Sequence, residues 1–270
     1  MTDEIWDIEL GEGPLVATAI HDGTDVREDV RRCMSLDEAV RRREEDPFTA
    51  EWTRPAPVRV IGTRSRFEVD LNRPREKAVY RTPEDCWGLR LWDGELPDEL
   101  AATSLMEYDA FYAMLGEVYS GQADRYGRFV VFDLHSYNHR RGGPDGPVAD
   151  EALNPQVNIG TGTMRDRSRW AGIIDRFVHD LRRFDFPTGK LDVRENVRFR
   201  GGEHARWAHD TFPDSACVLA IEVKKFFMDE WTGEFDRVHL NAIKRALKST
   251  VWGIYEELVR LGLAEQEVPA

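Results

Sequence analysis

The sequence predicts one α/β domain of three layers, with a mostly parallel, mixed central sheet flanked by helices. Three observations carry that reading. Apolar runs rich in β-branched and aromatic residues recur along the chain, among them Leu15-Val-Ala-Thr-Ala-Ile20, Phe129-Val-Val-Phe132 and Cys217-Val-Leu-Ala-Ile221. Strands buried on both faces of a parallel sheet have this composition. Segments with apolar residues at helical spacing lie between the runs. No internal repeat, low-complexity linker or composition break divides the 270 residues. Strands alternating with helices in a chain of this length fit a single sheet covered on both sides.

The first 13 residues are acidic and polar, and are expected to form a flexible arm ahead of a single catalytic domain over 14–270. The run from Leu15 to Ile20 is the first strand, and it leads directly into His21-Asp-Gly23. Leu36, Ala39 and Val40 follow at helical spacing after Ser35, which suits an N-cap. Glu44-Glu45-Asp46-Pro47 ends that helix, because the residue before a proline avoids the α region. Pro57-Val-Arg-Val-Ile61 and Phe67-Glu-Val-Asp-Leu71 read as the second and third strands, the latter ending in Asn72-Arg73-Pro74. Residues 76–97, rich in tryptophan, charge and turn formers, read as a long excursion over the sheet. An amphipathic helix over 104–119, with Leu105, Tyr108, Phe111, Tyr112, Leu115 and Val118 on one face, feeds the central strand at Phe129.

Residues 141–167 are loop-like apart from the strand-to-turn element Asn158-Ile-Gly-Thr-Gly162. A helix over 170–184 carries Ile173, Ile174, Phe177, Val178 and Leu181 on one face. Phe199-Arg-Gly-Gly202 is a glycine-marked loop. The last core strand, 217–221, ends in Glu222, and a terminal helix over 238–261 closes the chain.

Fifty acidic against 37 basic residues leave a net charge of −13. That repels polyanions and disfavours nucleic acid or an anionic membrane as a partner. The local basic pair Arg140-Arg141 still suits a small anion. The cysteines Cys33, Cys86 and Cys217 lack metal-ligand spacing, and there is neither a signal-like segment nor an apolar run of about 18 residues. The expectation is a cytoplasmic protein with reduced thiols.

The chemistry gathers where strands end. In open α/β sheets ligands bind outside the carboxyl ends of the strands. Ile20 leads into His21, the predicted third strand into Asp70, Asn72 and Arg73, Leu134 into His135, and Ile221 into Glu222. In parallel strands these endings meet on one edge. Two neutral imidazoles with one carboxylate form a zinc site with an open fourth position. A further carboxylate is then free to act as general base, and an arginine beside an asparagine clamps a substrate carboxylate. The parts suit metal-assisted hydrolysis of an amide in a small-molecule substrate bearing a carboxylate. Each residue also has a structural reading: His21 in a turn, Arg73 bridging to Asp70, Asp46 in a solvated acidic turn, and Glu222 on the surface, paired with a lysine of Glu222-Val-Lys-Lys225.

Ser65-Arg-Phe-Glu-Val-Asp-Leu-Asn-Arg73, Asp133-Leu-His-Ser136 and Ala220-Ile-Glu222, in that order and spacing, resemble the N-formylglutamate amidohydrolase family. His21-Asp-Gly23 is similar to that family's early His-Ser-Gly turn, and the whole series resembles the wider zinc carboxypeptidase and aminoacylase group. The resemblance spans roughly Leu15 to Asp229. It implies a zinc-carboxypeptidase-like fold, Zn2+ held by His21 and His135, Asn72 and Arg73 on the substrate carboxylate, Glu222 as base, and Arg66 polarising the scissile carbonyl. Arg140 and Tyr137, close in sequence to His135, are expected at the substrate.

The carboxypeptidase pattern carries His-x-x-Glu at its first ligand pair, whereas Thr24 stands third after His21 here. Asp46 looks most like the acidic residue that the amidohydrolase family places before a helix in this region, with Glu45 and Glu68 as alternatives. Asp22 in place of serine and the Trp-rich insertion bear on substrate identity. The implied enzyme is a zinc-dependent amidohydrolase of N-formyl or other N-acyl amino acids, N-formylglutamate first. A metallocarboxypeptidase acting on short peptides and a non-catalytic binding protein of the same fold are the rival readings.

Overall fold

A computed structural model of the chain describes residues 4–263. Seven strands, β1 (Trp6–Glu9), β2 (Leu15–Ala19), β3 (Val58–Gly62), β4 (Phe129–Tyr137), β5 (Val157–Gly160), β6 (Val193–Glu195) and β7 (Ala216–Lys224), form one sheet in the order β1-β3-β2-β4-β7-β5-β6. The pairs β2/β3, β2/β4, β4/β7 and β5/β6 are parallel, and β1/β3 and β5/β7 antiparallel. The sheet is therefore mixed, as expected. From β2 the chain moves outward to β3, and from β4 it builds toward β7 on the other side. The strand order thus reverses between β2 and β4, where an open α/β sheet leaves a crevice.

The helices are α1 (Glu28–Arg31), α2 (Glu38–Glu44), α3 (Thr49–Trp52), α4 (Asp98–Tyr126), α5 (Ala171–Arg183), α6 (Glu203–Thr211) and α7 (Arg237–Arg260). Successive residues of a strand point to opposite faces, so β4 and β7 feed two cores. Val130, Phe132, Leu219 and Ile221 pack against α5 and α7, whereas Phe129, Val131 and Val218 pack against α4 and α6. Each such side chain, fully buried, contributes about 1.5–3 kcal/mol. Residues 76–97 build a small core of their own, with Tyr80, Cys86, Leu91, Trp92 and Leu96 packed around Phe67. Among the described residues no helix is long and apolar enough to cross a membrane.

The structure departs from the sequence reading at six places. Trp6–Glu9, expected in a loose arm, is an edge strand paired antiparallel with β3. It is anchored by the buried Ile5 and by Trp6 edge-on to Phe111, and its acidic residues suit an exposed edge. Residues 1–3 of the predicted arm lie outside the described residues. The N-cap of α2 is Asp37, whose carboxylate accepts from the Ala39 N–H, rather than Ser35. Residues 67–71 are not a strand. Their alternation has another origin: Glu68 and Asp70 face a buried ion-pair layer with Arg27, Arg64 and Arg66 instead of solvent. Turn hydrogen bonds such as Glu68 N–H to Ser65 O replace a ladder.

The helix read over 104–119 runs from Asp98, behind Pro97, to Tyr126, where Gly127 at φ 70° stops it. Strand β4 continues through Tyr137 with every residue buried, so His135 lies inside the strand and not beyond it. Helix α6 was not legible: only nine residues long, it is signalled mainly by Gly201-Gly202 ahead of it.

Candidate active site

Strands β2, β4 and β7 end side by side, and their ends carry the polar residues. The β4/β7 register sets His135 opposite Glu222. The β2/β4 register sets Thr18 opposite Asp133, which brings His21 beside His135 with ring centroids 5.0 Å apart. Asp46 arrives from the turn after α2, its N–H donating to the His21 carbonyl at 3.0 Å. Its Oδ2 lies 3.1 Å from His135 Nδ1 and 3.5 Å from His21 Nδ1. All three residues are buried.

The far nitrogen of each ring meets its own buried carboxylate. His21 Nε2 is 2.7 Å from Asp70 Oδ1, and His135 Nε2 is 3.1 Å from Asp133 Oδ1. An ionised carboxylate only accepts, so both Nε2 atoms carry protons toward Asp70 and Asp133, and the two Nδ1 atoms turned to Asp46 are the positions where a metal ion would take the place of a proton. Asp70 also accepts from the Asn72 N–H at 2.8 Å, from Arg66 at 2.9 Å and from the Tyr80 hydroxyl. Asp133 accepts from Thr18 Oγ1 at 3.0 Å and stands 2.9 Å from His204 Nδ1, off that ring's N–H axis.

This donor set fits a metal ion. Ligands of a tetrahedral ion with bonds of about 2.0 Å stand roughly 3.3 Å apart, a value between the two separations of Asp46 Oδ2 from the imidazoles. The buried His21 Nδ1 has no hydrogen-bond partner among the described residues, and carboxylates behind the rings are the usual support of metal-ligating histidines.

The electrostatics agree. Burial opposes charge at each group, yet the two imidazoles hold Asp46 well below the carboxylate range, and Arg66 and His21 do the same for Asp70. Burial also opposes charge on His135, but Asp133 outweighs it and raises that imidazole well above its ordinary value. The cluster is a point where positive charge is stabilised, as a proton or as a metal ion. Glu222 differs. Its side chain is partly open to the cavity but deep enough that burial dominates, and with Asp46 and Asp133 nearby its carboxyl is pushed up to about 7.

A cavity of about 540 Å³ opens over the cluster, and His21, Asp46, Arg66, Asn72, Arg73, His135, Tyr137 and Glu222 all line it. Arg66 binds Asp70 through one Nη, while its buried Nε has no hydrogen-bond partner among the described residues. Asn72 Oδ1 accepts from the His204 N–H at 3.0 Å and caps α6. A Cβ at Gly202 would lie 2.2 Å from that oxygen, so a side chain there would displace the Asn72 amide. Arg73 is half-exposed, 3.8 Å from Asp70 Oδ2. Tyr137 presents its ring, since its hydroxyl donates to the Pro155 carbonyl.

Arg140 does not line the cavity: its guanidinium binds Asp229 at 2.9 Å, and the N–H groups of His139 and Arg140 are tied to Glu230. Arg141 lines the wall instead. The alternative ligands are engaged elsewhere, Glu45 with Arg41 and Ser65, and Glu68 with Arg27.

Sequence reasoning missed Trp87, which lies under Arg66 at 4.9 Å on the cavity wall, and Lys225, which reads as a surface lysine yet is buried. It also left Asp133 without a role. The period-2 alternation that puts it on the same face as His135 was the available signal.

The profile of the N-formylglutamate amidohydrolase family matches residues 13–227, which hold every residue of the cluster. An N-formylglutamate amidohydrolase structure from Ralstonia eutropha superposes with a TM-score of 0.71 over 96% of this chain and 99% of its own, at 18% identity. A gene product of Agrobacterium tumefaciens superposes with a TM-score of 0.69 over 94% and 96%, at 16% identity. Likeness at such identities shows the fold. No curated protein matches the chain. The family profile extends from just before β2 through Glu222 and Lys225, and on that match this chain is an amidohydrolase belonging to the N-formylglutamate amidohydrolase family.

Proposed function

We propose that the protein is a zinc-dependent hydrolase of N-formyl amino acids, with N-formylglutamate the leading substrate. The observation that carries this reading is the convergence of His21 Nδ1, His135 Nδ1 and Asp46 Oδ2 beside Glu222, on the floor of a cavity walled by arginines. Zinc held by His21, Asp46 and His135 supplies a Lewis acid that polarises a carbonyl and makes water acidic. Glu222 accepts the proton of the attacking water and returns it to the leaving nitrogen, a task suited to a carboxyl that titrates near neutrality. Arg66, on the cavity wall, stabilises the developing oxyanion through its guanidinium. Arg73 and Asn72 take the α-carboxylate, with Asn72 held in place by its bond to α6. The Tyr137 ring supports the substrate's aliphatic part. Arg141 and Arg200 on the wall favour an acidic side chain, in the place first expected of Arg140.

The test compares kcat/KM for N-formylglutamate, N-formylglutamine and N-formylglutamate α-amide. The α-amide is expected to be a poor substrate. Arg73→Lys should raise KM and lower kcat together, by about 10²-fold in kcat/KM, because a point charge does not reproduce the planar fork and a displaced amide loses its attack geometry. Equal kcat/KM for the acid and its α-amide would remove Arg73 from the carboxylate. Equal values for formylglutamate and formylglutamine would remove the preference for an acidic side chain.

A further inference from the structure

Asp46 is the one member of the His21, Asp46, His135 triad that lies well away from a strand, in the turn after α2. Something must hold that turn, and the structure offers Lys225. Its side chain is 1% exposed, and its Nζ donates to the Arg43 carbonyl at 2.6 Å and the Glu45 carbonyl at 2.7 Å. These carbonyls lie at the C-terminal end of α2, where backbone acceptors lack helical partners and the helix dipole favours a cation. The ammonium makes no ion pair with any described residue, although burying an uncompensated charge is costly.

The turn it holds is unusual. Three consecutive acidic side chains leave in three directions: Glu44 toward Arg43 and Arg141, Glu45 toward Arg41 and Ser65, and Asp46 toward the histidines. Lys225 follows directly on β7, and its own N–H donates to the Tyr137 carbonyl at 3.0 Å. The turn is thereby referenced to β4 and β7, the strands that carry His135 and Glu222.

We propose that Lys225 is the positioning residue of Asp46: by tying off the Arg43 and Glu45 carbonyls it fixes the turn that delivers the Asp46 carboxylate to His21 and His135. This rests on the metal-site reading. Lys225 acts through Asp46.

The test is zinc titration of metal-stripped wild type, Lys225→Met, Asp46→Ala and the double variant against a chromophoric chelator, with the thermal midpoint of each apo-protein recorded. Lys225→Met is expected to weaken zinc about 10- to 100-fold, the scale of lost outer support for a ligand. In the Asp46→Ala background the same change is expected to add less than about 3-fold, because the two residues act as one unit. Zinc affinity of Lys225→Met within about 3-fold of wild type would overturn the proposal, as would an undiminished loss in the Asp46→Ala background. Should Lys225→Met not fold, Lys225→Gln, which also removes the charge, is measured in its place under the same criteria. A wild type that binds no zinc would overturn the metal reading itself, and this inference with it.

Discussion

Glu222→Gln is expected to lower kcat for N-formylglutamate by about 10²–10⁴-fold, the usual cost of losing a general base, while zinc stays bound. The carboxyl sits at the end of β7 opposite His135, yet it is outside the triad whose ligand atoms converge. The amide keeps the volume and the neutral hydrogen-bonding shape but cannot accept a proton at neutral pH. Burial already holds the carboxyl near 7, so removing its charge costs the fold little. The measurement is turnover alongside metal content per chain. Loss of metal together with activity would make Glu222 a ligand, and unchanged turnover would leave the reaction without its base.

Asp46→Ala is expected to weaken zinc by more than the roughly 10- to 100-fold typical of an outer-shell partner, and to abolish turnover at limiting metal. It removes one of the three donors and the acceptor that both imidazoles face. Glu45→Ala and Glu68→Ala serve as contrasts, because those carboxylates lie in ion pairs with Arg41 and Arg27. Both changes should lower stability and weaken zinc by far less than Asp46→Ala does, because neither removes a ligand atom. A zinc affinity unchanged by Asp46→Ala would refute the ligand assignment.

Much of this site was legible before the fold. Residues that end apolar runs must come to the edge of a parallel sheet, which is how His21, His135 and Glu222 could be read together. The strand period carried His135 less well, because β4 continues through Tyr137 and a polar residue inside a buried strand looks like a loop. Residues 67–71 misled for a related reason. Alternation signals one buried face only when the polar face meets water, and here Glu68 and Asp70 meet buried arginines. Arg140 and Arg141 were indistinguishable in sequence, since adjacent residues past a strand end diverge by backbone geometry that Asp229 and Glu230 settle from a distant turn. Lys225 was illegible because its partners are main-chain carbonyls about 180 residues earlier, and carbonyls leave no signature in a sequence.

A metal held by His21, Asp46 and His135 is expected to be required for hydrolysis of an N-formyl amino acid. That requirement is tested most directly by following N-formylglutamate hydrolysis in wild-type protein before stripping, after demonstrated removal of metal by a chelator, and after stoichiometric zinc is returned. Activity should be lost with the metal and recovered at about one zinc per chain, with no recovery in Asp46→Ala at that stoichiometry. Full hydrolysis by protein shown to be metal-free would contradict it.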